Sequence, residues 1–230
     1  MPAPADARTE HALDGAIVLL DVDGTLVDSA PAITFCLARA IEAVGLEAPP
    51  VEVLGADIGP PLEDALAAHG VPDEAMGIAR NTYRRCYSEV GLDRSRLYPG
   101  VADTLAAMCS AGARLATATS KRVAMATEVC AHLGIVDSFE VIGGAGDLDR
   151  LHKPEILAWT LARLGGPVAG RTAMVGDRHF DVAGGLAHGL PSVGVTWGYG
   201  TEAELHQAGA AAVVDRPRDL PGVLGVMLGG

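Results

Sequence analysis

From residue 97 to its end the chain alternates short apolar runs with helical patterns, and this alternation restricts the fold more than any other feature. The runs fall at 115–119, 140–142, 172–175, 192–195 and 211–214. Helical patterns fill the gaps at 102–111, 123–133, 155–164, 181–188 and 202–208. An uninterrupted apolar run offers no polar face to water, so it suits a strand buried on both sides. Strands separated by single helices pair in parallel. One further run, Ile17-Val18-Leu19-Leu20, stands near the start and ends abruptly in Asp21-Val22-Asp23-Gly24-Thr25. The expected class is α/β, with a parallel sheet.

Residues 29–97 break the alternation. They carry helical patterns at 33–44, 62–69 and 74–90 and little strand character, punctuated by Pro49-Pro50, Gly59-Pro60-Pro61 and Gly70-Val71-Pro72. The economical reading is a helical insertion between the first strand and the rest of the sheet. Its edges would be Asp28-Ser29-Ala30-Pro31 and Leu97-Tyr98-Pro99-Gly100. Residues 16–28 and 98–230 would then form the core and 29–97 the insertion, while 1–15, rich in Ala and Pro, read as a disordered leader.

Composition narrows the partners. With 49% hydrophobic and 20% charged residues among 230, a core of ordinary size can be buried. A net charge of -12 argues against nucleic acid held by its phosphates and against a polybasic membrane contact. An anionic ligand must therefore be met by local positive charge, a metal ion or a few placed cations. Cys36, Cys86, Cys109 and Cys130 form no C-x-x-C pair, and no histidine lies at zinc-ligand spacing. They read as four buried thiols in a reducing cytoplasm. No apolar run approaches the roughly 18 residues a membrane helix needs.

In open parallel sheets ligands bind beyond the carboxyl ends of the strands. The expected strand ends here deliver Asp21 and Asp23, then Thr119-Ser120-Lys121, then Gly176-Asp177 with Asp181 close behind, while Lys153 opens a helix after the third strand. Each piece has an ordinary structural use as a turn or a helix cap. Their joint placement at successive strand ends has no such explanation. Crowded carboxylates repel one another unless a cation sits among them, and hard oxygen ligands suit Mg²⁺. Lysine usage agrees: Lys121 and Lys153 are the only lysines, against fifteen arginines.

These residues resemble the four motifs of the haloacid dehalogenase superfamily of phosphohydrolases. Asp21-Val22-Asp23-Gly24-Thr25-Leu26-Val27-Asp28-Ser29 is similar to the first, Thr119-Ser120-Lys121 to the second, Lys153 to the third, and Gly176-Asp177-Arg178-His179-Phe180-Asp181 to the fourth. The resemblance implies a Rossmann-like core with a helical cap inserted after the first motif. It implies Asp21 as the nucleophile that forms an aspartyl-phosphate, and Asp23 as the acid that protonates the leaving alcohol and the base that activates water. Asp21, the Asp23 carbonyl and Asp177 would hold Mg²⁺, with Asp181 holding its waters. Thr119, Ser120 and Lys153 would bind the phosphoryl oxygens.

Two further segments look like those of phosphoglycolate-phosphatase-like members. Ile58-Gly59-Pro60-Pro61-Leu62 resembles a cap turn that closes over the substrate, with Gly59 at the wall, and Val193–Gly200 resembles the loop after the fourth-motif helix. The partner implied is a small phosphorylated metabolite. Arg80, Arg84 and Arg85 could meet a second anionic group, although their helical spacing also suits a solvated face. Arg178 and His179 read as surface or hinge contacts, and Trp197 and Tyr199 as packing. Alternatives are a β-phosphoglucomutase-type phosphotransferase, a nucleotidase or pyrophosphatase, and a non-catalytic binding module. Phosphonoacetaldehyde hydrolase needs a cap lysine, and 29–98 contain none; metal-independent dehalogenases lack the second aspartate, here Asp23.

Overall fold

The computed structural model of the protein describes residues 12–56, 58–147 and 149–229. Six strands form one parallel sheet: β1 (Ile17–Leu20), β4 (Arg114–Arg122), β5 (Val141–Ala145), β6 (Thr172–Gly176), β7 (Ser192–Val195) and β8 (Ala212–Val214), in the spatial order β5-β4-β1-β6-β7-β8. Leu20 pairs with Thr117 on one side and Val175 on the other, so the ends of β1 and β6 lie level while β4 runs on past them to Arg122. The chain builds outward from β1 to β5 and then returns to the other side of β1 as β6. That reversal creates a switch point at the carboxyl end of β1.

The apolar run of β1 is consumed by both faces of the sheet. Ile17 and Leu19 pack with Ile156, Leu157 and Leu161 of α7 (Lys153–Arg163). Val18 and Leu20 face the opposite layer, which contains Leu105 and Met108 of α5 (Val101–Ser110), Val129 of α6 (Val123–His132) and Leu224 of α10 (Leu220–Leu228). Alternate residues of a strand point to opposite faces, so a strand covered twice must be apolar throughout. The first layer also holds α8 (His179–Ala187), against which α9 (Glu202–Ala208) packs.

Between β1 and α5 come α1 (Ala30–Glu42), α2 (Val51–Ala56), α3 (Leu62–Ala68) and α4 (Asp73–Cys86), the last running into a π-helical turn at Tyr87–Gly91. The helical layer is entered and left through a two-stranded antiparallel ribbon, β2 (Val27–Asp28) with β3 (Arg96–Leu97), in which Val27 faces Leu97. The ribbon, α2 and α10 are elements that sequence patterning does not announce. Two-residue strands carry no periodicity, and α10 is apolar on too many sides to show a stripe.

One expected boundary moves. The leader was expected to run to Gly15, but Leu13 is buried, the Gly15 N–H donates to the Gly112 carbonyl at 2.9 Å and Arg171 donates to the Asp14 carbonyl at 2.8 Å. Residues 12–15 thus belong to the core; the rest of the expected leader, 1–11, lies outside the described residues. Among the described residues no helix is long and apolar enough to cross a membrane.

Candidate active site

The strand ends bring three carboxylates together. Asp21 follows β1 directly, its N–H bonded to the Val175 carbonyl at 2.9 Å; Asp177 follows β6, and Asp181 sits in the first turn of α8. All three are buried, and one oxygen from each lies within 4.8 Å of the others. Burial disfavours a charged carboxyl, and neighbouring like charges add to the cost. Asp177 is accordingly pushed up to about 8, by burial first and then by Asp181 and Asp21. Burial likewise pushes Asp21 up to about 6 against the pull of Lys153.

Lys153, the first residue of α7, supplies the one buried ammonium in contact with this cluster among the described residues. Its Nζ lies 2.8 Å from Asp21 Oδ1, 2.7 Å from Asp181 Oδ1 and 2.8 Å from the Ala118 carbonyl. Burial works against its charge, but Asp181 and Asp21 outweigh it and hold the ammonium above its usual range. The hydrogen bond goes to the Ala118 carbonyl, while Asp21 and Asp181 meet the ammonium as ion pairs. A phosphoryl oxygen reaching Lys153 would have to take the place of one of these acceptors.

The fit of a divalent cation can be judged from these groups alone. One buried ammonium faces three buried carboxylates, two of them with raised proton affinity, and the donors are hard oxygens suited to Mg²⁺. Asp21, Asp177 and Asp181 fit as its carboxylate shell. The side chain of Asp23 stands outside that cluster, so its expected part in metal binding is confined to the backbone carbonyl.

Local backbone chemistry sets the cluster. Gly24 takes φ +86°, and a Cβ there would collide with the Asp177 carboxylate, so glycine lets the first loop close directly onto the fourth. Thr25 Oγ1 then donates to Asp177 Oδ1 at 3.1 Å and the Tyr199 N–H donates to Oδ2 at 2.8 Å. Asp181 Oδ2 accepts the Arg178 N–H at 3.0 Å, capping α8 with the same carboxylate that faces Lys153. Trp197 and Tyr199, expected as packing, act as ties. Trp197 Nε1 donates to the Thr25 carbonyl at 2.9 Å, and the Tyr199 hydroxyl accepts the Ser29 and Ala30 N–H groups at 2.9 Å each.

Asp23 points elsewhere, towards the helical layer. Ser29 Oγ donates to its Oδ1 at 2.5 Å, and Lys121 Nζ pairs with its Oδ2 at 3.0 Å. Lys121 in turn donates to the Tyr87 hydroxyl at 3.1 Å. The Asp23 carboxylate is therefore gripped by the start of the insertion and, through Lys121, by the π-helical turn that follows α4. Thr119 is buried, with Oγ1 accepting the Lys121 N–H at 3.2 Å, which leaves its own O–H to donate. Neither the Ser29 nor the Tyr87 contact was expected, because each depends on residues of the insertion folding back over the strand ends.

A cavity of about 90 Å³ lies between core and insertion, with Asp21, Asp23, Thr119, Ser120 and Lys121 at its floor. Gly59, Pro60, Pro61 and Arg84 reach it from the insertion, whereas Arg80 pairs with Glu63 at 3.5 Å and Arg85 is exposed. Gly59 takes φ +129° and packs against Arg178 and Phe180 of the core. Pro60 and Pro61 have no N–H, so this turn offers few backbone donors and mainly shape. Arg178, expected as a surface or hinge contact, joins the two parts: its guanidinium donates to the Ile58 carbonyl and, at 3.0 Å, to Glu204.

The chain belongs to the haloacid dehalogenase-like hydrolases, whose family model matches residues 18–195. Among individual relatives it is 38% identical over 213 residues to the tyrosine-protein kinase PtkA of Mycobacterium tuberculosis, covering 90% of this chain and 72% of that protein. It is 32% identical over 222 residues to the phosphoglycolate phosphatase of Caulobacter vibrioides, covering 93% and 92%. The crystal structure of a predicted phosphatase from Clostridium acetobutylicum superposes with a TM-score of 0.86 at 29% identity, covering 92% of this chain and 98% of that one.

Proposed function

We propose that this haloacid dehalogenase-like phosphatase hydrolyses a small phosphomonoester in two displacements through an aspartyl-phosphate on Asp21, with Mg²⁺ as cofactor. The observation that carries the reading is the position of Asp21 itself. It is a buried carboxylate held by Lys153 at the edge of a carboxylate cluster, and it also opens onto the cavity beneath the insertion. A carboxylate needs no base to act as a nucleophile. One Asp21 oxygen forms a bond to phosphorus as the bond from phosphorus to the alcohol oxygen breaks, and Asp23 gives that oxygen its proton. Water then attacks phosphorus, Asp23 takes a proton from it, and the Asp21–phosphorus bond breaks to release inorganic phosphate.

Asp21, Asp177, Asp181 and the Asp23 carbonyl would hold Mg²⁺, which when bound offsets phosphoryl charge that Lys153 alone leaves uncompensated. The Thr119 hydroxyl and Ser120 at the cavity floor would donate to phosphoryl oxygens. Residues 29–97 act as a cap that closes over the substrate, hinged on the β2–β3 ribbon; two short, paired crossings are the geometry of a hinge. All four cysteines are free thiols, which fits the reducing cytoplasm, but only Cys36 and Cys130 are buried as expected; Cys86 is half-buried and Cys109 exposed.

The test is a screen of the purified protein with Mg²⁺ against phosphoglycolate, other carboxylate phosphates, nucleotides, sugar phosphates and pyrophosphate. Release of inorganic phosphate that disappears with a chelator supports the reading; metal-independent turnover would contradict it. A second reading, transfer to a hydroxyl acceptor rather than water, draws on the likeness to PtkA. It predicts loss of phosphate release and gain of a phosphorylated product when the acceptor is added.

A further inference from the structure

We infer that Tyr87 is a positioning residue for the second displacement: through Lys121 it fixes the Asp23 carboxylate where that carboxylate takes a proton from the attacking water. This rests on the two-step phosphatase reading and deepens it by one residue. In that step the water oxygen bonds to phosphorus, the Asp21 oxygen leaves and the proton passes to Asp23. Asp23 stands apart from the carboxylate cluster and lines the cavity floor, so its place is set by the donors it meets. Ser29 Oγ donates to one oxygen at 2.5 Å, and Lys121 Nζ pairs with the other at 3.0 Å. Both partners donate, which holds Asp23 in the accepting form a base needs. A lysine is a point charge on a flexible stem, so alone it sets a distance and no direction. The ammonium therefore needs a second hold.

Tyr87, buried in the π-helical turn after α4, supplies it. Lys121 Nζ donates to the Tyr87 hydroxyl at 3.1 Å and lies 4.2 Å from the centroid of its ring. The protons can be assigned along the whole relay. Ser95 Oγ donates to the Gly91 carbonyl at 2.8 Å, so across its 3.3 Å contact with Tyr87 it accepts. Tyr87 therefore donates to Ser95 and accepts from Lys121. Every bond runs one way, from the ammonium to the Gly91 carbonyl. The turn is shaped to the ring as well: a Cβ on Gly91 would collide with it. π-helical turns are rare and frequently mark functional sites. An apolar ring would fill this seat with no buried oxygen to satisfy, so packing alone does not account for the hydroxyl. Among the described residues its hydrogen bond to the core goes to Lys121.

Nitrophenyl phosphate isolates the step. Nitrophenolate leaves without being protonated, so kcat/KM reports formation of the aspartyl-phosphate with no acid required, while kcat should report its hydrolysis. Tyr87→Phe should lower kcat roughly 3- to 10-fold, the scale of one interior hydrogen bond, with kcat/KM unchanged within about twofold. The burst of nitrophenolate should grow, and acid-quenched protein should carry more phosphate than the wild type at the same turnover. Lys121→Met should lower kcat further, and Tyr87→Phe should add nothing to it, because a residue that acts through Lys121 has no effect once Lys121 is gone. Melting curves establish that each variant is folded. An unchanged kcat, equal losses in kcat and kcat/KM, or additive losses in the double variant would mean that Tyr87 only braces the insertion; each overturns the inference while leaving the phosphatase reading standing. Failure of the wild type to release phosphate from nitrophenyl phosphate overturns both. Should Tyr87→Phe fail to fold, Ser95→Ala, which removes the acceptor of the Tyr87 proton, reads the same split between kcat and kcat/KM.

Discussion

The two sides of the cavity are built on opposite terms. On the sheet side Lys153 and Asp177 are buried and held by two or three partners each: Lys153 by Asp21, Asp181 and the Ala118 carbonyl, Asp177 by Thr25 and Tyr199. On the cap side the surfaces are apolar or half-exposed, and among the described residues Arg84 makes one long hydrogen bond, to the Asp147 carbonyl. Reaction chemistry needs groups fixed before substrate arrives, because electrostatic stabilisation costs nothing further at the moment of reaction only if the dipoles are already in place. Selection among substrates needs the reverse, groups that gain a partner only when the right ligand enters. Breaking the first side should abolish turnover on every substrate, whereas breaking the second should change the ranking of substrates.

The largest effect is expected at Asp21. Asp21→Asn keeps the shape and removes the proposed nucleophile, so turnover of all phosphoesters should fall at least about 10³-fold, the scale seen when a nucleophile is deleted. In chelated buffer at neutral pH its melting temperature should match or exceed that of the wild type, because one of three crowded carboxylates is gone. A residual rate near that of the wild type would remove Asp21 from the role.

Next comes Lys153→Met. It strips Asp21 and Asp181 of their shared cation while leaving the cap untouched, and kcat should drop roughly 10²-fold or more on every substrate with the ranking unchanged. A shift in ranking instead, read from kcat/KM over the panel, would mean that the ammonium recognises leaving groups.

The carboxylate cluster also predicts how stability depends on pH. Asp177 at about 8 and Asp21 at about 6 both stand above their ordinary 3.8, so between pH 4 and 8 the folded state binds more protons than the unfolded. Stability in chelated buffer should therefore fall as pH rises through this window. Mg²⁺ should raise the melting temperature most at the alkaline end and flatten the slope. A thermal profile that ignores both pH and Mg²⁺ would contradict the shared site.

Smallest is the tie between the two sides. Tyr199→Phe removes the oxygen that accepts the Ser29 and Ala30 N–H groups where the insertion begins. A loss of about 1–2 kcal/mol of stability is expected, with only a few-fold change in kcat. Substitution at Gly59 probes the cap less cleanly than its place in the sequence suggests. Valine there would strain the backbone at φ +129° as well as crowd Arg178 and Phe180, so Gly59→Ala, compared with Arg178→Met, separates strain from lost contact.

The same contrast governs how much was legible in the sequence. The strands, most helices and the positions of Asp21, Asp23, Thr119, Lys153, Asp177 and Asp181 follow from apolar runs that stop at polar residues, because a parallel sheet places strand ends side by side. Ser29 and Tyr87 acquire their contacts to Asp23 and Lys121 only when the insertion lies over the sheet. They come from different elements, and no periodicity marks them. Arg80, Arg84 and Arg85 look alike on a helix; tertiary placement alone separates one paired with Glu63, one in the cavity mouth and one in solvent. Asp23 shows both sides of the matter. Its position is set by the first strand, yet its side-chain partners are Ser29 at the start of the insertion and Lys121, itself bonded to Tyr87.

The central claim, a covalent aspartyl-phosphate, is tested most directly by the stereochemistry at phosphorus. A phosphomonoester made chiral with oxygen isotopes is hydrolysed in isotopically labelled water, and the configuration of the phosphate released is read by NMR. Attack by Asp21 followed by attack of water inverts phosphorus twice, so net retention is predicted. Net inversion would show a single direct attack by water and would contradict the account.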